Sequence, residues 1–68
     1  MSDTLHTPAV QAAIAAGRAD YAAHRLWRRT RVLATIDQLA AQYPDVPRAR
    51  LAGAFGLGRA EGRRTTAK

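Results

Sequence analysis

Arg48-Ala49-Arg50-Leu51-Ala52-Gly53-Ala54-Phe55-Gly56-Leu57-Gly58-Arg59 is the stretch on which the reading of this chain turns. Leu51 and Phe55 are four residues apart and share one helix face. Gly56 suits the left-handed residue that closes a helix, because it has no Cβ to clash there. Leu57 would then fold back towards Leu51, a contact that often accompanies such a cap. The stretch therefore predicts a helix over about 47–55 and a turn at Gly56-Leu57-Gly58. A weaker helix follows from Arg59 to about Thr65, weakened because Gly62 lies inside it.

Upstream, Pro44-Asp45-Val46-Pro47 reads as a turn, with Asp45 a good N-cap and Pro47 tolerated in the first turn of the next helix. Residues 20–43 contain no Gly or Pro and read as the principal helix. Val32, Leu33, Ile36, Leu39, Ala40 and Tyr43 form a stripe at helical spacing along it. Gly17 either marks a break or bend near 17–19, the favoured reading, or sits inside one long helix at a cost of ~1 kcal/mol relative to Ala. Thr7-Pro8 is a helix start, with Thr as N-cap and Pro at the first helical position. Residues 1–7 and 66–68 are expected to fray. The expected fold is all-α: one small domain over 1–68 with three to four helices and a helix-turn-helix-like C-terminal half. Its expected core is Leu33, Ile36, Leu39, Ala40, Tyr43, Leu51, Phe55 and Leu57.

Leu51, Ala52, Phe55, Gly56 and Leu57 stand in the register of the helix-turn-helix DNA-binding superfamily, which the chain resembles over about residues 48–65. The resemblance implies a small bacterial or phage-type transcriptional regulator. Its first helix would cross the DNA backbone, and the segment from Arg59 would approach the major groove. Arg59, Arg63 and Arg64 would contact phosphate or guanine. Such regulators generally act as two-fold dimers, and Trp27 with Tyr21, or with Val10 and Ile14, is the candidate seam, the competing reading being that residues 8–16 fold back and cover that surface within one chain. A second, looser resemblance joins Arg28-Arg29-Thr30-Arg31 to Gly56-Leu57-Gly58-Arg59-Ala60-Glu61. It is to short arginine-rich bacterial domains of unknown function, some of them implicated in RNA binding.

Charge supports a polyanionic partner without the resemblance. Eleven basic residues, ten of them Arg, face five acidic ones, for a net charge of +6. The guanidinium fork donates two parallel hydrogen bonds to phosphate and stays charged. The basic residues fall into two blocks. Arg18, Arg25, Arg28, Arg29 and Arg31 form the first, and Arg48, Arg50, Arg59, Arg63, Arg64 and Lys68 the second, with none over 32–47. Both blocks are candidate nucleic-acid contacts, DNA being favoured over RNA. Trp27 and Tyr21 among arginines can stack on an unpaired base or on a guanidinium, although such a Trp is more often a packing anchor, one half of an oligomer contact, or the anchor of a contact with a partner. The rival reading is a helical inhibitor or adaptor docking an acidic protein surface.

Nothing in the sequence points to catalysis. Ser2 is the only serine, there is no cysteine, and His6 and His24 are too few for a closed zinc site. No phosphate-binding glycine loop is followed by Lys-Ser or Lys-Thr. No enzyme activity, cofactor or metal is expected. No apolar run approaches the ~20 residues that span a bilayer, so no membrane partner is expected, and cytoplasm is the expected compartment.

Overall fold

The computed structural model describes residues 8–66, and they form three helices: α1 (Pro8–Ala23), α2 (Arg29–Gln42) and α3 (Arg48–Thr66). The all-α expectation holds. The Thr7 cap and the Lys68 contact lie outside the described residues.

Two proline-bounded features are as the sequence predicts. Pro8 opens α1. The turn at Tyr43–Pro47 separates α2 from α3 and is stitched by Tyr43 N–H to the Leu39 carbonyl (2.9 Å) and Val46 N–H to the Tyr43 carbonyl (3.1 Å). The carbonyl of Pro47 accepts from the N–H groups of Arg50 and Leu51 and so opens α3. Asp45, the expected cap, is exposed, and Pro47 fills that place.

Three boundaries differ from expectation. Gly17 does not break α1, which continues to Ala23. The principal helix does not begin at 20; the chain leaves helical geometry over His24–Arg28. Most importantly, Gly56-Leu57-Gly58 is no turn. α3 is one unbroken helix of 19 residues, and no described glycine has positive φ.

The two departures at glycines trace to glycine used for proximity. A Cβ on Gly58 would lie 2.0 Å from the Ile14 carbonyl oxygen, and one on Gly17 would lie 2.1 Å from that of Phe55. Gly62 faces Tyr21 and the carbonyl of Arg18. Along α1 the small residues Ala9, Ala13 and Gly17 recur every four positions and are buried; along α3 Ala54, Gly58 and Gly62 do the same. Four-residue spacing places each set on one helix face. The two faces meet backbone to backbone, as in the small-residue pairs known best from membrane helices. Contacts advance together, Ile14 with Gly58 and then Tyr21 with Gly62, so α1 and α3 run parallel. This is by far the most extensive contact in the molecule.

α2 returns antiparallel across that pair. Its buried positions Val32, Ile36 and Leu39 follow the i, i+4, i+7 pattern of an inward face. Val32 and Ile36 pack on Phe55, and Leu39 joins Ala9, Val10, Ala13, Leu51 and Ala54. Leu51 and Phe55 are fully buried, as expected. Leu33 is 39% exposed and Leu57 is 50% exposed, so neither belongs to the core. Leu33 sits at the rim of the α2 stripe. Leu57 points outward because α3 continues through it instead of folding back. Val10 and Ile14 are used within the chain, Val10 in the core and Ile14 against it, which removes them from the expected dimer seam.

The topology gives the molecule two ends. One carries Pro8, the Tyr43–Pro47 turn and the start of α3. The other carries the end of α1, the His24–Arg28 loop, the start of α2 and the end of α3.

Candidate nucleic-acid interface

The loop end is organised by one acid. Asp20, in the last turn of α1, has a side chain only 8% exposed and accepts from two guanidinium groups. Arg31 Nε donates to Asp20 Oδ1 at 2.9 Å, and Arg31 Nη2 donates to Oδ2 at 3.3 Å. Arg59 Nη1 donates to the same Oδ2. Arg31 hydrogen bonding and charge, followed by those of Arg59, hold the Asp20 carboxyl below its ordinary value, against the opposing push of burial. A shared carboxylate between two cations leaves this node one charge positive.

The same two arginines build the loop. Arg59 donates to the carbonyls of His24 (3.1 Å) and Arg25 (2.9 Å). Arg31 Nη2 donates to the carbonyl of Leu26 (2.8 Å). These carbonyls lie just beyond the end of α1, where a helix leaves acceptors without intrahelical partners. Side chains from α3 and α2 therefore satisfy acceptors that a continuing helix would otherwise have used. The Arg59 guanidinium also sits over the rings of Tyr21 (5.3 Å) and Trp27 (5.4 Å), within cation–π reach of both. Trp27 in turn meets Phe55 edge to face, with centroids 6.4 Å apart at 74°. No buried side-chain donor or acceptor among the described residues lacks a partner.

Arg59 is thus 8% exposed, with three hydrogen bonds inside the protein. The sequence predicts it as a nucleic-acid contact; the structure turns its guanidinium to Asp20 and the loop carbonyls instead. Arg31 is half-buried and also committed to Asp20. Tyr21 is half-buried beneath Arg59, whereas Trp27 remains 57% exposed and its neighbour Leu26 73% exposed.

The other basic positions separate by end. Arg25, Arg28 and Arg29 lie exposed on the loop and the first residue of α2, and Arg63 and Arg64 lie exposed in the last turn of α3. Among the described residues, no acid pairs with Arg25, Arg28, Arg29 or Arg64. Glu61, the nearest acid on α3, is met by Arg18 Nη2 at 3.1 Å. Arg25 and Arg63 flank a shallow concavity of about 430 Å³ whose remaining lining is Tyr21, Arg59 and Ala60. Arg48 and Arg50 lie at the opposite end, roughly 20 Å away along α3 at ~1.5 Å per residue, and Arg48 pairs with Asp37.

Backbone electrostatics act in both senses at this end, which holds the start of α2 and the ends of α1 and α3. α2 begins with no side-chain cap on its N–H groups and no acid in its first turn. Its partial positive charge therefore adds to that of Arg28 and Arg29. Arg63 and Arg64 sit at the C-terminal end of α3, where helix polarity favours cations.

Two roles escape sequence reasoning: Asp20 as an organising acid, and Arg59 as a structural cation. Asp20 is the only acid in the first basic block, which is the one signal that could have marked it. No group of three or more His, Asp or Glu suited to a metal occurs among the described residues, and no described helix is long and apolar enough to cross a membrane. Comparison with known protein families, with curated proteins and with solved structures gives no match.

Proposed function

We propose that this chain is a small nucleic-acid-binding protein that receives phosphates on the loop end of its three-helix fold. One observation carries the reading: Arg25 and Arg63, from distant segments, line one concavity, with Arg28, Arg29 and Arg64 exposed at the same end of the fold, while the nearby acids Asp20 and Glu61 are already paired. Five exposed cations at one end of the fold, beside an uncapped helix start, form an electrostatic footprint suited to a phosphate backbone. A groove-reading role for α3 has less support. α1 covers one face of α3, and Arg59 is buried with its guanidinium turned to Asp20 and the loop carbonyls.

The test is the salt dependence of binding to short DNA and RNA oligonucleotides. Replacing Arg25, Arg28 and Arg29 with Gln should reduce the slope of log K against log salt by about 0.7–0.9 for each phosphate that the variant no longer neutralises. Replacing Arg48 and Arg50 with Gln, at the far end, should leave the slope unchanged. The opposite pattern would move the interface to the proline end.

The exposure of Leu26 and Trp27 favours a second reading, in which the same arginines meet carboxylates on an acidic protein. Aromatic and Arg anchors beside apolar surface are common at protein contacts. An acidic polypeptide that displaces a nucleic acid only at large molar excess would set this reading aside.

A further inference from the structure

We propose that Trp27 is a stacking platform for an unpaired base, so that the preferred ligand is single-stranded nucleic acid and not a duplex. This rests on the nucleic-acid function proposed for the loop end and specifies it. Three observations converge on it. First, Trp27 is 57% exposed although it is the largest apolar side chain in the protein. Second, it is not loosely displayed. Its ring meets Phe55 edge to face and lies under the Arg59 guanidinium, and Phe55 is fully buried. The loop that carries it is tied at three successive carbonyls, His24, Arg25 and Leu26, by Arg59 and Arg31. Third, its chain neighbours Arg25 and Arg28 are exposed and no acid among the described residues pairs with them.

A fixed aromatic surface between cations matches what a single strand presents, a π-face every nucleotide with a phosphate on either side. A duplex offers the phosphates but keeps its bases stacked inside, so the ring would find no partner along its length. Fixing the ring before binding also limits the ordering cost of association. Arg59 is then a positioning residue. It touches no ligand and aims the loop that does.

The chain has one tryptophan, so fluorescence excited beyond the tyrosine band reports this ring alone. Titrating the protein with dT8, U8 and an eight-base-pair DNA duplex gives the expected result of strong quenching by the single strands and tighter binding of them than of the duplex. The relative affinity for dT8 and U8 separates DNA from RNA as the source of the strand. Anisotropy of labelled oligonucleotides should show Trp27→Ala binding dT8 roughly 5- to 150-fold more weakly, the span of one stacked base. Duplex binding should change little, with an unchanged salt slope for both ligands. Trp27→Phe keeps a stacking ring and should recover most of the affinity for dT8. Circular dichroism of each variant confirms that the fold is retained. Equal or tighter duplex binding without quenching would overturn the stacking proposal and leave phosphate binding intact. No salt-sensitive binding to any of the three would overturn both, and would return the loop end to the acidic-protein reading.

Discussion

Two glycines two residues apart in α3 should respond to the same substitution with opposite signs. Replacing Gly by Ala inside a helix gains ~1 kcal/mol through backbone entropy and solvation. At Gly56 a Cβ would meet nothing within 4 Å, so the gain is undiluted. A rise in melting temperature of about 4–8 °C corresponds to that amount in a domain of this size. At Gly58 the new Cβ would lie 2.0 Å from the Ile14 carbonyl oxygen, 2.8 Å from the carbonyl carbon and 3.0 Å from Cα. All three are backbone atoms and cannot rotate aside, so α1 would have to move away by about an ångström. That separation would loosen the buried seam of Ala13, Gly17 and Ala54. Overpacking among side chains costs ~1–3 kcal/mol, and contact between two backbones belongs at or above the top of that range. After the helix gain is subtracted, Gly58→Ala should be destabilised by ~2 kcal/mol or more, against a total stability of roughly 3–10 kcal/mol for a chain this short. Thermal and urea melts followed by circular dichroism at 222 nm would place the two variants more than about 10 °C apart. A Gly58→Ala protein melting at or above the parent would refute the close parallel pairing of α1 and α3. Gly17→Ala, 2.1 Å from the Phe55 oxygen, provides an independent repeat.

Asp20→Asn should destabilise the protein by ~3 kcal/mol or more, measured by urea unfolding, because it leaves buried Arg59 without a counter-charge. The lowered pKa of Asp20 fixes the sign of its pH effect. The carboxylate contributes fully above its ordinary value of 3.8, and that contribution is lost as pH falls through the lower folded value. Melts between pH 6 and pH 2 should therefore show a shallower acid limb in Asp20→Asn. Arg59→Lys keeps the charge, but an ammonium cannot span the carboxylate and two carbonyls. It should melt well below the parent and weaken dT8 binding without changing the salt slope. Arg18→Ala removes a pair whose arginine side chain is 57% exposed, and should change stability by less than ~1 kcal/mol in the same melts.

Much of the fold is legible in the sequence because proline and apolar spacing act locally. Pro8 and the Pro44–Pro47 segment set boundaries through fixed φ and steric limits on neighbouring residues. Val32, Ile36 and Leu39 declare an inward face through helical period. What the sequence does not show depends on residues far apart. Gly56-Leu57-Gly58 is locally compatible with a cap or with a helix, and only a second helix against Gly58 decides between them. The end of α1 carries no Gly or Pro over His24–Arg28. It is terminated by hydrogen bonds from Arg59, 34 and 35 residues away. For the same reason the arginine blocks point to Arg25, Arg28 and Arg29 as contacts for a polyanion, but cannot reveal that Arg59 and Arg31 are committed to structure. Charge counts do not record which cations are already neutralised.

The parallel pairing of α1 and α3 also bears on how the chain finds its fold. Most small helical proteins gain their contacts between neighbours in sequence and fold rapidly for that reason. Here the main seam joins segments such as Arg18 and Glu61, which are 43 residues apart. Closing a loop of that length costs roughly 3 kcal/mol of chain entropy before the seam returns anything. The intervening α2 offers α1 comparatively little to hold on to. During synthesis the glycine face of α1 waits without its partner until α3 has been made. Folding should therefore be slow for an all-helical chain of this size, and cutting the chain in the Tyr43–Pro47 turn should leave two fragments that gain helix only when mixed.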